Sequence, residues 1–159
     1  MKFLLSISLF VSAAASAQTD SRIFYSQLMV VFSDLDKNFE FLKGELQGKE
    51  GNDTLFETYL ALEGTKENTI LASPGGSAYQ AVIIDSTSDE GSQLVLRAWK
   101  EKLTNALTGS FTELEKEYRL EKDKGINGYR YSSEKIIVLL LRHKTDGGWY
   151  WINLVIKNK

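Results

Sequence analysis

The chain has 159 residues, with 19 lysines and arginines against 21 aspartates and glutamates and a formal charge of −2. That balance argues against general nucleic-acid binding, which depends on neutralising many phosphates. With no cysteine and a single histidine, it also excludes Cys–His nucleophilic catalysis and a zinc site of the usual His/Cys type.

The N-terminus reads as a targeting signal. Lys2 supplies a positive charge, Phe3 to Val11 form an apolar run, and Ala15-Ser16-Ala17 fits a small-x-small cleavage pattern. The run is far below the roughly 20 residues of a spanning helix, and no cysteine follows it to carry a lipid. The expected division is a cleaved signal peptide at 1–17 and one α+β domain at 18–159. Losing Lys2 leaves 18 basic residues against 21 acidic, so no polybasic patch for anionic lipid remains and no stable membrane insertion is expected. An exported domain without disulfides fits a bacterial periplasm or exterior best. Asn52-Asp53-Thr54 is a glycosylation sequon that would matter only in a eukaryotic secretory route.

Residues 22–47 carry a helical period. Phe24, Leu28, Val31, Phe32, Leu35, Phe39, Leu42 and Leu46 recur at intervals of three and four, and Gly48 is placed to end the helix. Lys49 to Asp53 reads as a loop. Strands are expected at 54–62, 69–72 and 78–85, the last two joined by Ser73-Pro74-Gly75-Gly76 as a type II turn with positive φ at Gly75. This glycine pair lacks the lysine-serine ending of a phosphate-binding loop. Thr87-Ser88-Asp89-Glu90 resembles a capping box started by Thr87. The helix it begins runs to about Leu107, with Leu96, Trp99, Leu103 and Ala106 as its buried stripe and Gly109 beyond its end.

Glu113 to Glu121 alternates, with Leu114, Tyr118 and Leu120 inward and Glu113, Glu115, Glu117, Arg119 and Glu121 outward. A strand wetted on one face belongs near the edge of an antiparallel sheet, where charge discourages intermolecular pairing. Along a strand its glutamates stand about 6–7 Å apart, too spread for one ion, so they read as a solvated face. A turn at 122–128 and a short strand at 129–132 follow.

Ile136 to Leu141 and Trp149 to Ile156 flank Asp146-Gly147, the strongest hairpin signal in the chain. A two-residue turn there sets Thr145 against Gly148. Ile137, Leu139, Leu141 and His143 then join Tyr150, Ile152, Leu154 and Ile156 on the core face. Val138, Leu140 and Arg142 join Trp149, Trp151, Asn153 and Val155 on the opposite face. The whole predicts a two-layer α+β sandwich, a mainly antiparallel sheet with two helices on one face. Its element order suggests an αβββ unit used twice, the second slightly extended.

Function is less legible. No cofactor signature is present, no serine elbow of the GxSxG kind exists, and His143 lies between Arg142 and Lys144. Asp34, Asp36, Asp85 and Glu57 are conceivable acids for a small exported hydrolase or isomerase, the alternative reading. The main expectation is a non-catalytic binding domain. Two helices cover one side of a sheet, yet the hairpin is apolar on both. Trp149, Trp151, Arg142, Asn153, Leu140 and Val155 are the candidate binding residues, for a protein partner or a homodimer, because Trp and Arg dominate interface energetics.

Overall fold

The computed structural model describes residues 21–120 and 125–159; in the strand at 113–120 only the Glu117 side chain is described. The expected signal peptide and the end of the fifth strand's charged alternation lie outside the described residues. Helix α1 covers 21–35 and is followed by β1 (Lys43–Glu50), β2 (Asp53–Thr58), β3 (Glu67–Ser73) and β4 (Gly76–Thr87). Helix α2 (Asp89–Leu107) is then followed by β5 (Glu113–Leu120), β6 (Ile126–Ser132), β7 (Ile136–Lys144) and β8 (Tyr150–Asn158). The strands form one eight-stranded sheet in the order β1-β2-β3-β4-β8-β7-β6-β5, antiparallel at every junction. The sheet and the two helices make a two-layer α+β arrangement.

The main core fills the space between the helices and one sheet face. Phe24, Leu28, Val31 and Leu35 of α1 and Trp99, Leu103 and Leu107 of α2 meet Ile70, Tyr79, Ala81, Tyr131, Val138, Leu140, Ile152, Leu154 and Ile156. The helices touch each other through an edge-to-face pair, Phe24 on Trp99 at 5.5 Å. Lys102 places its ammonium 4.1 Å from the Phe24 ring and 4.5 Å from the Trp99 ring while donating to the Glu63 carbonyl. Trp99 is thus a core residue, as its stripe indicates.

The first helix is shorter than its period. It stops at residue 35 because the chain turns left-handed at Asn38 (φ 53°) and Phe39 (φ 61°), a conformation disfavoured for a bulky side chain. Asp34 holds the corner: its Oδ2 accepts from the amides of Phe41 and Leu42 at 2.9 and 3.0 Å, and its carbonyl accepts from Lys37 and Phe39. Phe39 and Leu42 are buried as the helical period demands, but through this corner. The stretch expected to finish the helix is strand β1, so four strands follow the first helix rather than three. Leu46, counted in the helical stripe, is largely exposed on that edge strand. Strand β5 occupies the other edge, as expected, but its faces are exchanged. Glu117, expected to point away from the core, pairs with Tyr129 on the helix-side face and lines the cleft beside Gln93 and Leu96 of α2.

Two turns differ from expectation by one residue. Gly76 (φ 127°) rather than Gly75 takes the left-handed conformation after Pro74, and Gly148 (φ 80°) takes it after Asp146-Gly147. In the second turn the Thr145 amide donates to the Trp149 carbonyl and the Gly148 amide donates to the Thr145 carbonyl, each at 2.9 Å. The loop is therefore three residues long, a turn closed by a left-handed glycine. His143 lies against Trp151, Leu141 against Asn153 and Leu139 against Val155. The β8 residues keep their assigned faces, whereas β7 is reversed: Val138, Leu140 and Arg142 face the helices. Similarly, the cap of α2 is Ser88, whose hydroxyl accepts from the Gly91 amide, while Thr87 ends β4.

A glycine in the sheet and the acid at the corner can each be tested. A Cβ at Gly128 would collide with the backbone carbonyl of Leu140 across the β6–β7 pair, whereas one at Gly48 meets nothing within 4 Å. Gly128→Ala is expected to lose about 3 kcal/mol of unfolding free energy, with Gly48→Ala within about 0.5 kcal/mol of the parent, both read from urea unfolding. Asp34→Ala strands two amides at the α1–β1 corner and is expected to lose about 2 kcal/mol or more. Asp34→Asn, which keeps an acceptor oxygen, should recover part of that loss in the same titration.

Candidate functional site

The sheet face turned away from the helices has its own small cluster, built by strands alone. Leu139, Leu141 and Val155 form its centre, with Ala78, Ile126 and Ile137 packed against them. These three central side chains are only 6–9% exposed, although none of the described helix residues belongs to the cluster. Their neighbours in the sheet shield them. A floor of aliphatic side chains results, with longer polar groups standing around it.

Two indoles rise at one end of this face. Trp149 is 55% exposed beside the turn and Trp151 is 36% exposed on β8. The Trp151 ring lies 4.7 Å from the imidazole of His143, its cross-strand neighbour. His143 Nε2 is in turn 2.7 Å from Asn153 Oδ1. Partial burial holds the His143 pKa below its ordinary value, opposed by the Asn153 bond. Trp151 is thus seated against a polar pair that limits how it can rotate.

The six sequence candidates divide between two faces. Trp149, Trp151, Asn153 and Val155 share the outer face. Leu140 is fully buried in the helix-side core, and Arg142 lies beneath the start of α2. The Arg142 guanidinium donates to Ser92 Oγ at 2.7 Å, pairs with Asp89 and stacks 3.8 Å from the centre of the Tyr150 ring. It therefore fastens helix to sheet and cannot stack on Trp151, as the two-residue turn would have allowed. The polar residues that replace it on the outer face are Arg130 on β6, His143 on β7 and Gln80 on β4. The two-residue register puts His143 on the core face, and the other two lie on strands whose place beside the hairpin its own residues do not reveal.

The conceivable acids are placed apart in structural roles. Asp34 holds the corner, Asp36 is 3.7 Å from Lys135, Asp85 is 2.6 Å from Lys66, and Glu57 is exposed on β2. The Lys66 contact holds the Asp85 carboxyl below its ordinary range. No group of three or more His, Asp or Glu side chains capable of holding a metal occurs among the described residues. Open cavities lie elsewhere. One of about 730 Å³ separates α1 from α2 beside Phe24, Tyr25 and Lys102. Another, of about 270 Å³, lies between α2 and β6 beside Arg142 and Tyr129. A groove of about 500 Å³ runs beside the β3–β4 turn, Val155 and Lys157. It borders the outer face. No helix among the described residues is long and apolar enough to cross a membrane. Compared with known family models, curated proteins and solved structures, the chain matches none.

Because the folded state lowers the His143 pKa below 6.5, the unfolded chain binds a proton first as the medium is acidified. Stability is expected to fall as pH drops from above the unfolded value towards the folded one. His143→Gln should flatten that part of the profile. The check is the urea midpoint of both proteins at about pH 7.5 and about pH 5; a parent midpoint that rises on acidification would contradict it.

Proposed function

We propose that this chain is an exported, non-catalytic binding domain that engages a protein partner through the outer face of its sheet. One observation carries the reading: Trp149 and Trp151 stand at solvent on the face opposite both helices, beside an aliphatic floor. Large indole rings held by neighbouring contacts lose little conformational freedom on association and bury much area, which is why they concentrate at interface centres. Export rests on the pattern of residues 1–17, and the absence of cysteine suits an exported domain that needs no disulfide. The binding set is Trp149, Trp151, Asn153 and Val155 with His143 and Arg130. Leu140 and Arg142 support it from the other side of the sheet.

The reading is tested with Trp149→Ser combined with Trp151→Ser. Neither ring belongs to the main core, so far-UV circular dichroism and the melting profile should stay close to the parent. Association, read by light scattering and by cross-linking of the full chain, should weaken at least about tenfold. A folded double variant that associates as strongly as the parent would overturn the proposal.

A further inference from the structure

We infer that the partner on the outer face is a second copy of this chain, related by a two-fold axis that runs parallel to the strands between β4 and β8. The inference rests on the binding-domain reading and supplies the occupant that reading leaves open. It comes from the cross-strand rows. One row across the outer face is Glu57, Thr69, Gln80, Val155, Leu139 and Arg130, each the register partner of the next. The carboxylate is two strands to one side of the β4–β8 pair and the guanidinium two strands to the other side. Turning a second copy about an axis between Gln80 and Val155 sets Glu57 over the second copy's Arg130, Thr69 over its Leu139 and Gln80 over its Val155. Every contact is made twice, as a closed two-fold interface requires.

Asp53 and Glu57 of β2 and Glu67 of β3 share the outer face of one flank, while Arg130 of β6 stands on that of the other. Lys157 lies on β8 beside the axis, facing neither flank. An axis perpendicular to the strands would set each flank over itself and oppose like charges. Only the axis parallel to the strands opposes unlike ones. Complementary fields of this kind select partner and orientation more than they add affinity. Affinity falls to the indoles: Trp151 lies on β8, beside the axis, so the two copies bring these rings together at the same end. Aligned sheets pack about 10 Å apart, a gap for the side chains of Glu57, Trp151 and Arg130. The last of these donates from Nε to Ser132 Oγ at 3.0 Å on its own strand and keeps its terminal nitrogens for the second copy.

The test uses charge exchange in the full chain. Sedimentation velocity should show a dimer for the parent. Glu57→Lys and Arg130→Glu should each raise the dimer dissociation constant at least about tenfold, since each opposes like charges twice. An equimolar mixture of the two variants should restore association. In the mixed dimer the introduced lysine meets the introduced glutamate at one contact, and the retained Arg130 meets the retained Glu57 at the other. Glu57 is exposed, so its variant keeps the test valid should Arg130→Glu disturb folding. A parent that stays monomeric, or folded variants whose mixture does not recover, would overturn the inference. A photo-cross-linking residue at Gln80, beside the proposed axis, separates this from the broader reading. An adduct of twice the chain mass in cells producing the full chain supports the second copy. An adduct with another protein overturns it and keeps the binding-domain reading, and no adduct overturns both.

Discussion

The arrangement depends on one backbone conformation, the left-handed Gly148 that closes the β7–β8 turn. With two residues in that turn, β7 would present Ile137, Leu139 and Leu141 to the helices. With three, it presents Val138, Leu140 and Arg142, and the former set becomes the outer floor. A slip of one residue exchanges every side chain between faces, so the glycine decides the composition of both cores. Either register buries aliphatic residues of β7 against the helices, which is why hydrophobicity alone cannot choose between them. The choice is made by what the helix above offers to position 142. There, Ser92 is fully buried and Asp89 stands in the first turn of α2.

Arg142 shows how a charged residue becomes tolerable in such a place. A cation near the N-terminus of a helix opposes the helix dipole, and an arginine only 8% exposed has lost most of its water. Asp89 supplies the opposite charge, Ser92 accepts one N–H, and the face of Tyr150 takes the plane of the group. Lysine could not reproduce this combination, since its point charge has neither the fork nor the flat surface. The pair is buried on the arginine side only, since the Asp89 side chain is 60% exposed; it adds little net stability but ties the start of α2 to β7. Its role here is to lock the three-residue register: in the two-residue register Arg142 would leave Asp89 and Ser92 without it.

The elements whose identity depends on local chemistry were legible in the sequence. Helix α2 follows its stripe from Leu96 to Leu107 with Gly109 beyond, and β4, β7 and β8 sit where their branched and aromatic runs place them. The charged alternation of β5 marks a sheet edge. What was not legible depends on conformations that leave a weak trace. Phe39 and Leu42 satisfy a helical period while lying in a corner, so the period runs past the true end of α1 and hides β1. The signal there was Asp34 followed by Asp36 and Asn38, polar residues able to bond the backbone and tolerate a left-handed turn. Pro74-Gly75-Gly76 and Asp146-Gly147-Gly148 share another ambiguity: the second glycine of each pair takes the positive φ, and a doubled glycine permits either turn length. Two of the six candidate binding residues, Leu140 and Arg142, were misplaced by that single residue.

The same turn changes what an outer face of this composition means. Apolar residues on both sides of β7 and β8 at first imply a surface wanting cover. The structure divides that demand. Leu139, Leu141 and Val155 are shielded by the side chains of adjacent strands, so they supply a dry, stiff floor and leave little area to be gained by covering them. What remains at solvent is the pair of indoles, with acids on the β2–β3 flank and Arg130 on β6. Hydrophobic gain scales with the area taken from water, so an association here draws its strength from Trp149 and Trp151. Its geometry comes from charges fixed by the strand order. Arg142 itself lies under α2, held by Ser92 and Asp89, and takes no part on the outer face. Arg130, two strands away from β8, carries positive charge out to where a rotated Glu57 can reach it.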